Sequence, residues 1–233
     1  MKYTKSITLV IFLMIFFLTN GLSFADQERD NSQRKYEVTI TNLTRGQVFS
    51  PPIVISHNRH FSLFTLGDAA SVELAALAEE GDSGPLADLI RDFYPKFRSA
   101  AAGGPIPPGE SASVILEISK RGNSSLISVA GMLVTTNDAF FAGRNIWLPG
   151  RDKVMVEAVA YDAGSEENTE ECNDIPGPPC DEPPPNENQN PTEGAEGYVH
   201  VHAGIHGIGS EVNPADHDWN NPVAKITIRR IYH

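Results

Sequence analysis

The chain has 233 residues, 40% hydrophobic and 21% charged, an ordinary balance for a folded globular protein that excludes wholesale disorder. Thirty acidic residues against eighteen Lys and Arg give a net charge of −12. That acidity argues against a nucleic-acid partner, which needs basic patches, and against electrostatic docking to anionic membranes.

Residues 1–25 read as a signal peptide. Lys2 and Lys5 supply a short positive region, Ile7 to Leu18 is almost wholly apolar, and Ser23-Phe24-Ala25 places small residues where a signal peptidase reads. The apolar run is shorter than the roughly 20 residues a bilayer span needs, so cleavage near Asp26 is expected rather than a membrane anchor. No Cys lies near that point, which excludes a lipoprotein anchor. The expected product is secreted or periplasmic, with no stable membrane insertion after cleavage.

A polar lead-in, residues 26–35, precedes Tyr36 to Thr41, where Tyr36, Val38 and Ile40 alternate with polar residues as in a half-buried strand. Ile53 to Ile55 is a short strand candidate. Ser71 to Arg98 is the one helical stretch; Gly81-Asp-Ser-Gly-Pro85 breaks it in two, with Pro85 suited to open the second helix. Five further strands are expected at 111–119, 125–134, 153–161, 198–203 and 224–231, all β-branched-rich and bounded by Gly, Pro or Asn. The fold class is therefore mainly β. The expected architecture is one antiparallel β-sandwich over residues 36–233 with a short two-helix insertion.

Residues 162–197 stand apart as a long acidic, Pro-rich loop with eleven acidic residues, seven prolines and no Lys or Arg. Such a stretch buries little apolar surface and is expected to be partly disordered. It is either a solvated insertion or a source of carboxylates at the edge of the sandwich. Within it, Cys172 and Cys180 flank a stiff Pro-rich turn, and in an oxidising compartment they are expected to form one local disulfide.

Four of the seven histidines follow: His200, His202, His206 and His217. On a strand, His200 and His202 point to one face, and Gly204 could turn His206 back toward them. His-x-His plus a third histidine is ligand spacing for zinc or copper; the other reading is a pair of half-exposed, hydrogen-bonded strand histidines. No Gly-x-Ser-x-Gly, His-Glu-x-x-His, phosphate-binding Gly loop or EF-hand loop occurs, and Ser56 and His57 would face opposite ways on a strand. No enzyme is expected.

Three stretches in order resemble the spondin N-terminal domain family of F-spondin-type matrix proteins: Phe49-Ser-Pro-Pro-Ile-Val-Ile-Ser-His57, Tyr161-Asp-Ala-Gly-Ser-Glu166 and Asn221-Pro-Val-Ala-Lys-Ile-Thr-Ile-Arg-Arg230. The resemblance covers about residues 36–231. It implies a C2-like β-sandwich and a calcium site at one sandwich edge. By motif the calcium ligands would be Asp138, Asp162 and Glu166, with Glu replacing the family's Asp at 166. Two or three carboxylates at adjacent loop ends, completed by carbonyls and water, can supply the six to eight oxygens calcium takes. The alternative is that Asp138 and Asp162 cap turns. The resemblance also implies a non-catalytic adhesion or ligand-binding module for a surface protein or glycan; the alternative function is a copper- or zinc-binding protein.

Overall fold

The computed structural model describes residues 33–180 and 192–232; the expected signal peptide, most of the lead-in and the middle of the acidic segment lie outside the described residues. The strands are β1 (Gln33–Asn42), β2 (Ile53–His57), β3 (Arg98–Ala101), β4 (Ser111–Ser119), β5 (Leu126–Met132), β6 (Ala139–Trp147), β7 (Lys153–Asp162), β8 (His200–Val201) and β9 (Ala224–Ile231). Helices α1 (Val72–Glu80), α2 (Gly84–Phe93) and the single turn α3 (Pro214–His217) complete the set.

The fold is mainly β and antiparallel, as the sequence implied. Its strands form one sheet in the order β3-β2-β5-β6-β7-β9-β1-β4, with β8 hydrogen-bonded beside β7. The sheet curls until its two end strands, β3 and β4, approach each other, so the two halves of a sandwich-like body become a nearly closed barrel. Strand β7 joins the halves: Lys153 to Ala158 pair with β9, and Val159 to Asp162 pair with β6.

The buried residues form two cores. Inside the barrel, Tyr36, Val38, Ile40, Leu116, Phe141 and Ile226 pack together from both halves. Strands β1, β4 and β9 have one face in water, and their burial alternates accordingly. The second core lies outside the barrel wall, where Ile53, Ile55 and Phe140 are covered by Leu74, Leu77 and Ile90 of the helices. Strands β2 and β5 are thus buried on both faces along their length.

Several boundaries differ from the sequence reading. Strand β1 begins at Gln33, within the expected lead-in. Strand β6 occupies a segment where no strand was expected; its first five residues are all buried and show no alternation. The second helix ends at Phe93 rather than Arg98; Pro95 disfavours helical backbone at Tyr94, and Arg98 instead opens β3. The strand expected at 198–203 shrinks to His200–Val201. Among the described residues no helix is long and apolar enough to cross a membrane.

The acidic segment, over its described residues, is folded against the rest of the protein. Its residues up to Cys180 fold over the barrel end, closed by a Cys172–Cys180 disulfide. Glu170, buried, accepts hydrogen bonds from the backbone N–H groups of His206 (2.6 Å) and Ile208 (2.8 Å), tying this segment to the loop after β8. Asn137 reaches it from below, accepting from the Glu170 N–H at 3.2 Å and donating to Thr169 Oγ1 at 3.2 Å. A disulfide in a folded loop accords with an oxidising, extracytoplasmic compartment.

Candidate metal centre

The site grows from one cross-strand pair. Asp162 is the last residue of β7 and lies directly opposite His200 of β8, so their side chains share one face at close range. Beyond Asp162 the chain turns through Ala163-Gly164, and Gly164 N–H donates to Asp162 Oδ1 at 2.7 Å. Gly164 has φ +65°, and a Cβ there would stand 2.4 Å from the Tyr198 carbonyl oxygen, so only glycine lets the turn sit against the strand carrying His200. The Gly164 carbonyl then accepts from Gly197 N–H at 2.8 Å, which brings the far end of the acidic segment, and Glu196 with it, to the same point.

Asp162, Glu196 and His200 converge there, one ligand atom of each within 4.8 Å of the others. Among the described residues no other three His, Cys, Asp or Glu side chains do so. Asp162 is buried, His200 half-buried and Glu196 exposed, so the cluster opens to solvent on one side. Two carboxylates and an imidazole make a donor set that can hold a divalent metal ion.

Asn168 organises the cluster from behind. Its Nδ2 donates to Asp162 Oδ2 at 2.8 Å and to Glu196 Oε1 at 3.3 Å. Its Oδ1 lies 3.2 Å from His202 Nε2, while His202 Nδ1 accepts from Gly204 N–H at 2.9 Å. With Nδ1 accepting, a neutral His202 carries its proton on Nε2 and donates it to Asn168. Burial, aided by His200, pushes the His202 pKa down to about 4, so the ring is neutral across the physiological range. It packs on Trp219 with centroids 5.1 Å apart. The two rings approach the same carboxylate, His200 Nδ1 at 3.8 Å and His202 Nε2 at 3.7 Å from Asp162.

The other expected ligands have different settings. Asp138 is fully buried one residue before β6; its Oδ2 accepts from the N–H groups of Ser165 (2.8 Å) and Glu166 (3.1 Å) and from Ser165 Oγ (3.2 Å). Its Oδ1 is buried without a hydrogen-bond partner. Burial first, then the charge of Asp162, raises the Asp138 pKa to about 7, against the lowering effect of those donors. Glu166 is buried too, and its pKa rises to about 9 through burial and the charges of Glu79, Asp138, Asp174 and Glu80. His206 is exposed, and the Nδ1 of His217, at the end of α3, lies 3.3 Å from the Gly46 carbonyl; neither joins the Asp162, Glu196 and His200 group.

Glu196 and Asn168 were not singled out by spacing. The expectation that the acidic loop supplies carboxylates at the sandwich edge was the one signal toward Glu196, and nothing in the sequence distinguishes Asn168 from other loop amides. No family model matches the chain, and no curated protein matches it significantly.

Proposed function

We propose that this chain is an exported, metal-stabilised β-sandwich module that binds a surface protein or glycan without catalysis, and that it is a divergent relative of spondin N-terminal domains. The convergence of Asp162, Glu196 and His200 carries the metal half of this reading. The three resembling stretches support the class. In this arrangement the ion clamps the end of the acidic segment onto β7 and β8, fixing the loop surface that a partner would meet. An imidazole among the donors favours a zinc-type ion over calcium, which takes oxygen ligands, and water would complete the shell.

Calcium is the second reading, favoured by the orphaned, buried Asp138 Oδ1 next to a second carboxylate. A cation there would supply the missing partner, with Asp162 and Glu166 contributing further oxygens.

Thermal unfolding of chelated protein, with zinc, copper(II) and calcium restored separately, decides between them. A metal at a hundred times its dissociation constant adds about 2.7 kcal/mol to stability. A zinc or copper rise lost in Asp162→Asn and His200→Ala is the expected result. A calcium rise that survives His200→Ala but not Asp138→Asn supports the second reading. No shift with any ion removes the metal from the proposal.

A further inference from the structure

Strand β7 leaves part of its edge unused. Its second half pairs with β6 as far as Ala142↔Val159, but from there the two strands diverge: β6 continues along β5, and the first half of β7 along β9. The split is a groove of about 560 Å³. Val223 N–H donates to the Ala158 carbonyl and His202 N–H to the Ala160 carbonyl, so even-numbered residues of β7 direct their backbone groups away from β6. By alternation, the N–H and C=O groups of Lys153, Met155 and Glu157 face the split with no strand beside them. The half-buried Val154 and Val156 lie along the floor with Ile146, while Trp147 and Met155 are exposed at the rim.

The closed end is marked by charge. Arg144 lines the groove, its guanidinium 4.2 Å from the Phe64 ring centroid and 5.6 Å from that of Tyr161, with Nη1 donating to the Phe64 carbonyl at 3.2 Å. Among the described residues no carboxylate pairs with it, in a chain of net charge −12.

We propose that this split is a docking groove for an extended peptide that adds a strand between β6 and β7 and ends in a free carboxylate on Arg144. Unpaired, regularly spaced backbone donors and acceptors are satisfied by another extended backbone. The floor asks for an apolar side chain at every second position. The peptide cannot run on past Ala142↔Val159, where the strands pair, so its terminus lies at the closed end. A carboxylate there meets Arg144, whereas an amino terminus would be repelled. The peptide runs parallel to β7 and antiparallel to β6. This names the ligand class of the binding-module reading, at a place on β7 separate from the metal cluster.

The test uses acetyl-Thr-Val-Thr-Val-Thr-Val with a free C-terminus, its C-terminal amide, and a version N-methylated at alternate residues. Trp147 is 69% exposed and Trp219 is 8% exposed, so a fluorescence change reports the groove. The free acid is expected to bind saturably and to slow amide exchange at Met155 and Glu157 at least tenfold. Amidation of the peptide, or Arg144→Gln in the protein, is expected to weaken binding about tenfold, and N-methylation to abolish it. Absence of saturable binding, or equal binding of the N-methylated peptide, overturns the proposal. So does a dimer by sedimentation with both amides already protected, since a second copy would then fill the split. Titrations in chelator and in zinc, alongside the thermal shift, separate failure of the groove from failure of the metal site.

Discussion

Asn168 holds three members of the metal end at once, and its amide has no substitute that keeps all three bonds. Replacing it with Ala leaves Asp162 held only at Oδ1 by Gly164 N–H, removes the donor to Glu196 and removes the acceptor for His202. Outer-shell partners of this kind are worth roughly 10–100-fold in metal affinity, so Asn168→Ala should weaken metal binding by that factor in a calorimetric titration while the barrel stays folded. Glu166 gives a second prediction, on pH. Its folded pKa of about 9 lies above the ordinary glutamate value of 4.5, so the native state keeps a proton that the unfolded chain releases. The resulting stability is complete below about pH 4.5 and is lost as pH rises toward 9. His57 acts on the acid side. Burial lowers its pKa from 6.5, against a smaller raising effect of the Asn58 carbonyl, so its stability is present above 6.5 and falls away as pH drops below that. Metal-free protein should therefore lose stability on both sides of a mildly acidic optimum, as read by denaturant midpoints across pH 4–9. Glu166→Gln should flatten the alkaline limb; an unchanged limb would reject the assignment.

At the scale of elements, β6 shows how far the sequence could be read. Phe140 and Phe141 are adjacent and face opposite cores. Phe141 meets Phe49 at 4.4 Å inside the barrel, whereas Phe140 meets Phe64 at 5.2 Å under the helices. Each loss to Ala should cost about 3–5 kcal/mol in chemical unfolding. Phe140→Ala should in addition speed amide exchange in α1 and α2 before the barrel is affected. Burial on both sides removes alternation from the first half of β6, yet β2 and β5, buried on both faces too, were legible as short β-branched runs bounded by Pro or Asn; β4 and β9, wet on one face, were legible to the residue, and β1 from Tyr36 onward. The helix pair was legible because Ser71 accepts from Leu74 N–H at 3.2 Å, Gly81 closes α1 at φ 69°, and Pro85 opens α2. At the metal end, Asp162 and His200 could be marked by motif and spacing. Their meeting could not, since it depends on a register between β7 and β8 across the long acidic segment. Glu196 is brought to them by the bond from Gly197 N–H to the Gly164 carbonyl and by Asn168.

Over the whole molecule, charge is unevenly placed. The net charge is −12, yet no Lys or Arg occurs from Val154 to Ala224, so the repulsion gathers where that segment wraps the barrel end. Self-repulsion of this kind opposes the compact state and is screened by salt, with a Debye length near 30 Å at 0.01 M and about 10 Å at 0.1 M. Chelated protein should therefore gain several degrees in melting temperature between those salt concentrations, and metal-loaded protein should gain less, because the ion has already offset part of the charge.

That basic-free stretch also dictates how the molecule comes apart in a mass spectrometer. Trypsin finds no site between Lys153 and Lys225, so Val154 to Lys225 leaves as one peptide. It carries Asp162, Asn168, both cysteines, Glu196, His200 and His202 together. The mass of that fragment before and after reduction reports the disulfide, and any oxygen that added hydrogen peroxide delivers to His200 through a bound copper ion would appear on it too, so a single digest surveys that whole end of the barrel.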